Sequence, residues 1–215
     1  MNKNLTELVF ILDRSGSMSG LESDTIGGYN AMINKQKKEP GKALVTTVLF
    51  DHEYVLLHDR VDLERLKPIT HDEYYVCGTT ALLDAIGKTI QKMIHVQKRT
   101  ADEKAGHVLF VITTDGMENA SKEYRYDRIR QMIEHQKNKY NWEFIFLGAN
   151  MDAISTAQRF GIHKDRATTF NADSEGVSLN YEVISETISV LRANKNIHEN
   201  WKDRIDEDFL KRRKD

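Results

Sequence analysis

Asp13, Ser15 and Ser17 alternate within Leu8-Val-Phe-Ile-Leu-Asp-Arg-Ser-Gly-Ser-Met-Ser-Gly20, directly behind an apolar run from Leu8 to Leu12. The run reads as a strand buried on both faces, and it stops at Asp13. The turn that follows is small and polar and carries two glycines, so one loop can aim three oxygen-bearing side chains at one point. A carboxylate and two hydroxyls are hard donors, suited to Mg²⁺, Mn²⁺ or Ca²⁺ rather than zinc or copper. Two further segments offer oxygen ligands. Thr79-Thr80 stands before the apolar stripe of a helix, and Asp115 lies in Thr114-Asp115-Gly116, after a second apolar strand. Each has a plainer role when taken singly. A Thr before a helix is commonly an N-cap, an Asp before Gly is commonly a turn residue, and a Ser/Gly loop is commonly only a turn. Together, on loops at one rim of a sheet, they describe a divalent-metal site.

The elements that must position these groups follow from periodicity. Ile26, Tyr29 and Ile33 mark a helix over about 21–38, ended by Pro40-Gly41. Ala43–Phe50 and Tyr54–Val61 are β-rich runs separated only by Asp51-His-Glu53, a link so short that it forces an antiparallel hairpin. Residues 62–79 read as a loop with one short helical turn, and Leu82, Ile86, Ile90 and Met93 give a helix over about 80–98. A charged surface link over 99–106 precedes the strand His107–Thr113. The spacing then predicts a helix over about 122–138, a strand Trp142–Leu147, a short helix Asp152–Phe160 and a short strand Arg166–Phe170. Val177, Tyr181, Ile184, Ile188 and Leu191 form the stripe of a long helix over about 175–193. The expected fold is α/β: a doubly wound three-layer α/β/α sandwich with a mostly parallel sheet and one antiparallel edge strand. In such sheets ligands bind beyond the carboxyl ends of the strands. Asp13 and Asp115 can meet there if their strands are neighbours.

Composition narrows the function classes. The chain has 215 residues and a net charge of −2, which argues against a nucleic-acid partner. One domain over 1–193 is expected, followed by a charged C-terminal helix or tail over 194–215. The basic run Lys211-Arg-Arg-Lys214 beside Asp206-Glu-Asp208 reads as a solvated helix end. Cys77, the only cysteine, permits no intrachain disulfide and reads as a small apolar filler. The N-terminus is polar and no window approaches the ~20 apolar residues of a membrane span. A soluble, cytoplasmic protein without a membrane partner is therefore expected. Oligomeric state is open, with a monomer favoured because the hairpin edge is short and charged.

Asp13-Arg-Ser-Gly-Ser17, a Gly-Thr-Thr helix start and Thr114-Asp115-Gly116 together resemble the metal-ion-dependent adhesion site (MIDAS) of von Willebrand factor A (vWA) domains. The order of elements is similar to that family from about residue 5 to 192. The resemblance implies a Rossmann-like vWA fold and a metal contacted by Ser15, Ser17 and Thr80, with Asp13 and Asp115 bound directly or through water. Thr80 is assigned by its offset from the Leu82/Ile86 stripe, with Thr79 as the alternative. Cys77 stands where the family often has Gly. Gly148-Ala-Asn-Met-Asp152 resembles small stand-alone bacterial or phage versions. The family's mode of action implies a Mg²⁺ (or Mn²⁺/Ca²⁺) cofactor and a protein partner that presents an Asp or Glu carboxylate.

The principal reading is a metal-dependent binding module rather than an enzyme. A metal-assisted hydrolase is the alternative, with Glu118 and His52 as the nearest candidate bases, each read rather as a solvated rim residue. A scaffold with a degenerate metal site ranks last, because every ligand type is present. Phosphate-loop and dinucleotide fingerprints fail, since Gly16 and Gly20 lack the spacing and the lysine. Asp51-His-Glu53 reads as a solvated turn. The Val177–Leu191 helix reads as an ordinary amphipathic closure of the sheet, although the last helix can slide in the family's adhesion domains.

Overall fold

The computed structural model describes residues 2–100, 104–149 and 151–212. Among them, six strands form one sheet: β1 (Asn2–Asp13), β2 (Lys42–Phe50), β3 (Tyr54–Asp62), β4 (Ala105–Thr114), β5 (Glu143–Ala149) and β6 (Ala167–Phe170). Their spatial order is β3-β2-β1-β4-β5-β6, parallel throughout except for β3 against β2. The three-layer α/β expectation, including the single antiparallel edge strand, is what the chain adopts.

Among the described residues, six α-helices accompany the sheet: α1 (Glu22–Gln36), α2 (Leu82–Arg99), α3 (Tyr126–Tyr140), α4 (Ala153–Arg159), α5 (Ser174–Arg192) and α6 (Asp203–Arg212). The pleat of β1 divides the two cores. Leu8, Phe10 and Leu12 pack with Tyr29, Ile33, Ile184 and Ile188 of α1 and α5. Val9 and Ile11 pack with Ile86, Ile90, Ile129 and Ile133 of α2 and α3. A strand apolar at every position is thus needed because both of its faces are covered.

The switch of strand order falls around β1. Leu12 pairs with Thr113 of β4 and Asp13 with Phe50 of β2. The loops carrying Asp13 and Asp115 therefore leave adjacent strands at the same end.

Two features tie down the helical layer over α1 and α5. Arg192, buried at the end of α5, donates to the backbone oxygens of Gln36, Glu39, Pro40 and Gly41 and to Gln36 Oε1, so it satisfies carbonyls at and beyond the end of α1. The segment after α5 forms a 3₁₀ turn, Glu199–Lys202, and then α6. Ile197 and Ile205 are buried in the same core as α5.

Several local expectations change. The helix expected from 122 begins at Tyr126, because Asp84 of α2 accepts the N–H groups of Lys122, Glu123 and Tyr124 and holds them out of a helix. Cys77 is exposed, not a core filler. Asp51 is buried rather than solvated, facing Arg14. Within the basic run, Arg212 is engaged by Asp173 and Asp208 instead of being freely solvated, while Arg213 and Lys214 lie outside the described residues. Asn150 of the Gly148–Asp152 segment lies outside them as well.

Candidate metal centre

At the carboxyl ends of β1 and β4 a chain of hydroxyls closes on a carboxylate. Thr80 Oγ1 donates to Ser15 Oγ at 2.9 Å, Ser15 Oγ lies 3.2 Å from Ser17 Oγ, and Ser17 Oγ donates to Asp115 Oδ1 at 2.6 Å. Three loops far apart in sequence thus meet. Asp13 sits beneath them with both oxygens engaged: Oδ1 accepts the Ser15 N–H at 2.7 Å, and Oδ2 accepts the Thr114 hydroxyl. Asp13, Ser15, Thr80 and Asp115 are buried, whereas Ser17 is exposed and marks the side open to solvent. Thr79 is exposed, so of the two threonines only Thr80 joins the cluster.

Electrostatics and unmet valence both suit a cation here. Burial raises the Asp13 carboxyl to about 6, offset in part by the Ser15 and Thr114 hydrogen bonds and raised further by Asp115. Burial likewise pushes Asp115 up, against the Ser17 hydrogen bond. Asp115 Oδ2 is buried with no hydrogen-bond partner, the kind of group that is costly unless something positive meets it. Arg14, which follows Asp13 in sequence, is committed elsewhere, its Nε lying 3.0 Å from Asp51 Oδ2.

Gly116 marks the centre of the cradle. A Cβ placed on it would lie 2.7 Å from Thr80 Oγ1, 2.9 Å from Ser17 Oγ and 3.3 Å from Ser15 Oγ. The donor set of three hydroxyls and two carboxylates fits a hard divalent ion. Among the described residues no group of three or more His, Cys, Asp or Glu could hold a metal, so such a site would depend on its hydroxyls.

The sequence reading missed the groups that fix the loops. Asn119 Oδ1 accepts the Thr80 N–H at 2.9 Å, and the Asn119 N–H returns a bond to the Thr80 carbonyl at 3.0 Å. Glu118, considered above as a solvated rim residue, instead uses both carboxylate oxygens structurally. It accepts the N–H groups of Leu83, Ala120 and Ser121 and the Ser121 hydroxyl. Arg14, the variable position of Asp-x-Ser-x-Ser, forms a buried ion pair with Asp51, while its own backbone bonds Phe50 and Cys77. Gly78, at φ +69°, accepts the Gly16 N–H at its carbonyl and leaves room for the His52 ring. The Glu118–Ser121 tetrad offered a capping-like acid-and-hydroxyl signal in the sequence. Nothing in the sequence linked Arg14 to Asp51.

No family model matches the chain, and no curated protein matches it. Solved structures do match in fold. The vWF domain of the type V pilus tip protein Mfa5 from Porphyromonas gingivalis superposes with a TM-score of 0.63 at 11% identity, over 86% of this chain and 95% of that one. Manganese-loaded TRAP from Plasmodium vivax gives 0.56 at 20% identity, over 82% and 72%. The ArnB paralog VWA2 from Sulfolobus acidocaldarius gives 0.55 at 18% identity, over 86% and 45%. The chain spans less than half the length of VWA2. The fold is that of von Willebrand factor A domains. No helix among the described residues is long and apolar enough to cross a membrane.

Proposed function

We propose that this chain is a divalent-metal-dependent protein-binding module. Ser15, Ser17 and Thr80 would hold Mg²⁺ or Mn²⁺ (or Ca²⁺), with Asp13 and Asp115 completing the set directly or through water. The observation that carries this reading is the convergence of three hydroxyls and the unpaired Asp115 Oδ2 around Gly116. Two carboxylates neutralise one divalent charge, and the remaining donors are neutral, so the ion bound there would act as a Lewis acid toward an incoming carboxylate. The protein's own part is to hold the hydroxyls in place through Asn119 and Glu118 and to leave the Ser17 side open. A partner's Asp or Glu carboxylate is the group this arrangement suits. The manganese in TRAP and the pilus-tip setting of Mfa5, each a property of those proteins, lend support.

Binding is favoured over hydrolysis because Glu118, a candidate base, has both oxygens committed to the loop. A cytoplasmic, monomeric module without a nucleic-acid or membrane partner is part of the same proposal. The first test is isothermal titration of chelator-stripped protein with Mg²⁺ and Mn²⁺, beside Asp13→Ala and the exposed-site variant Ser17→Ala. Saturable binding that both variants lose is the expected result. Undiminished binding in both removes the site.

A further inference from the structure

At the amino ends of β4 and β5, the end of the sheet opposite the metal centre, a cleft of about 310 Å³ lies between the last turns of α2 and α3. Small-molecule sites occupy ~300–1,000 Å³, so the cleft has room for one compact ligand. Val108 and Trp142, both buried, form part of its wall together with Ile94 and Tyr140. The Trp142 ring is stacked on Phe110 with centroids 5.5 Å apart, so it is fixed in place before any ligand arrives. Gln97 also lines the cleft, and its amide nitrogen is buried without a hydrogen-bond partner among the described residues. A buried donor left unmet is costly, and an acceptor brought by a ligand would relieve it.

The charge of the lining is one-sided. Among the described residues, Lys98 and Lys104 line the cleft and no carboxylate does. Farther up α2, Lys88 and Lys92 are paired with Glu123 and Asp59, whereas Lys98 and Lys104 have no ion pair among the described residues. A basic side chain near a helix end has an ordinary use, since each carboxyl end carries about half a negative charge. Arg99 of α2 and Lys137 and Lys139 of α3 already stand in those last turns, and Lys104 lies outside both helices. The positive charge thus exceeds what the two helix ends require. We infer that this cleft is a binding site for a small aromatic carboxylate, separate from the metal centre. The ring packs with Trp142, Val108 and Ile94, and the carboxylate is met by Lys98, Lys104 and the Gln97 amide. A ring is favoured over an aliphatic chain because aromatic pairs gain beyond the area they bury.

The test titrates the full chain, ¹⁵N-labelled, with 3-phenylpropionate while the indole N–H signals are followed by NMR. Trp142 and Trp201 are the two tryptophans, and Trp201, whose indole donates to the Asp165 carbonyl, does not line the cleft. The Trp142 signal, assigned with Trp201→Phe, should shift saturably with a Kd of about 1 mM, and the Trp201 signal should stay. The acid should bind about fivefold more tightly than 3-phenylpropanamide, its neutral isostere, the order that two partly exposed ion pairs supply. It should bind about threefold more tightly than hexanoate, which has the charge but no ring. Lys98→Gln combined with Lys104→Gln removes no ion pair described in the fold and should erase the preference for acid over amide. Absence of a saturable Trp142 shift, equal affinity for acid and amide, equal affinity for hexanoate, or an acid preference kept in the double variant each overturn the inference. None of these results bears on the metal-dependent reading, which the Mg²⁺ titration tests separately.

Discussion

Gly116→Ala adds one methyl group at the point where the three hydroxyls converge. Gly116 is absent from the glycines with positive φ, so the backbone itself accepts alanine. The whole effect comes from the methyl carbon, 2.7 Å from Thr80 Oγ1 and 2.9 Å from Ser17 Oγ, where unstrained carbon–oxygen contacts need several tenths of an ångström more. Thr80 has little freedom to retreat, since Asn119 holds its backbone. Overpacking of this kind costs about 1–3 kcal/mol, which a vWA-fold domain of ordinary stability survives. The larger consequence is for ligation, because the methyl displaces two of the donors and occupies their common space. Thermal unfolding with and without Mg²⁺ separates the two effects. At a metal concentration 100 times Kd, binding stabilises the native protein by about 2.7 kcal/mol, which for a chain of this size raises Tm by about 6 °C. The native chain should show that rise. Gly116→Ala should begin a few degrees lower and gain nothing from Mg²⁺. A full Mg²⁺-dependent rise in Gly116→Ala would refute the placement of the site, however the variant's basal stability turned out.

Two more outcomes follow from groups outside the ligand set. Asp51→Ala leaves the Arg14 guanidinium buried without its counter-charge and should destabilise the chain by about 3–5 kcal/mol in urea unfolding, whereas Arg14→Met combined with Asp51→Leu should recover most of the loss; a single variant within 1 kcal/mol of the native chain, on the same order-of-magnitude scale, would show the pair to be incidental. Burial holds the His58 imidazole below its ordinary value of 6.5, partly countered by Glu73, and its Nδ1 is buried without a partner. Below pH 6.5 the unfolded chain takes up a proton that the folded chain resists, so stability should fall as pH drops from there toward the folded value and level off beneath it. His58→Gln should flatten that slope in denaturant titrations at pH 5–7, and an unchanged slope would assign the pH dependence to other groups.

The sequence by itself determined the layers and the candidate ligands. A run of five apolar residues before Asp13 reads as a strand covered on both faces, and the three-residue link Asp51-His-Glu53 forces a hairpin. Asp13, Ser15, Ser17 and Asp115 were visible because their loops follow apolar strands directly, where local pattern is strongest. Thr80 was assigned over Thr79 by its offset from the Leu82/Ile86 stripe, and the bonds that orient it, from Asn119 and Ala120 to its backbone and from its hydroxyl to Ser15, come from other loops. The late start of α3 was hidden for a similar reason. Nothing near Lys122 forbids a helix, but Asp84, from another element, takes its N–H group and the next two. Asp51 and Cys77 were misjudged in opposite directions because burial depends on what lies across the fold. Asp51 meets Arg14 and is enclosed, whereas Cys77 finds no cover. Periodicity is a property of the chain and could be read from it. Pairings between charges and loops that approach only after the sheet has formed belong to the tertiary structure, which alone decided how the site is held.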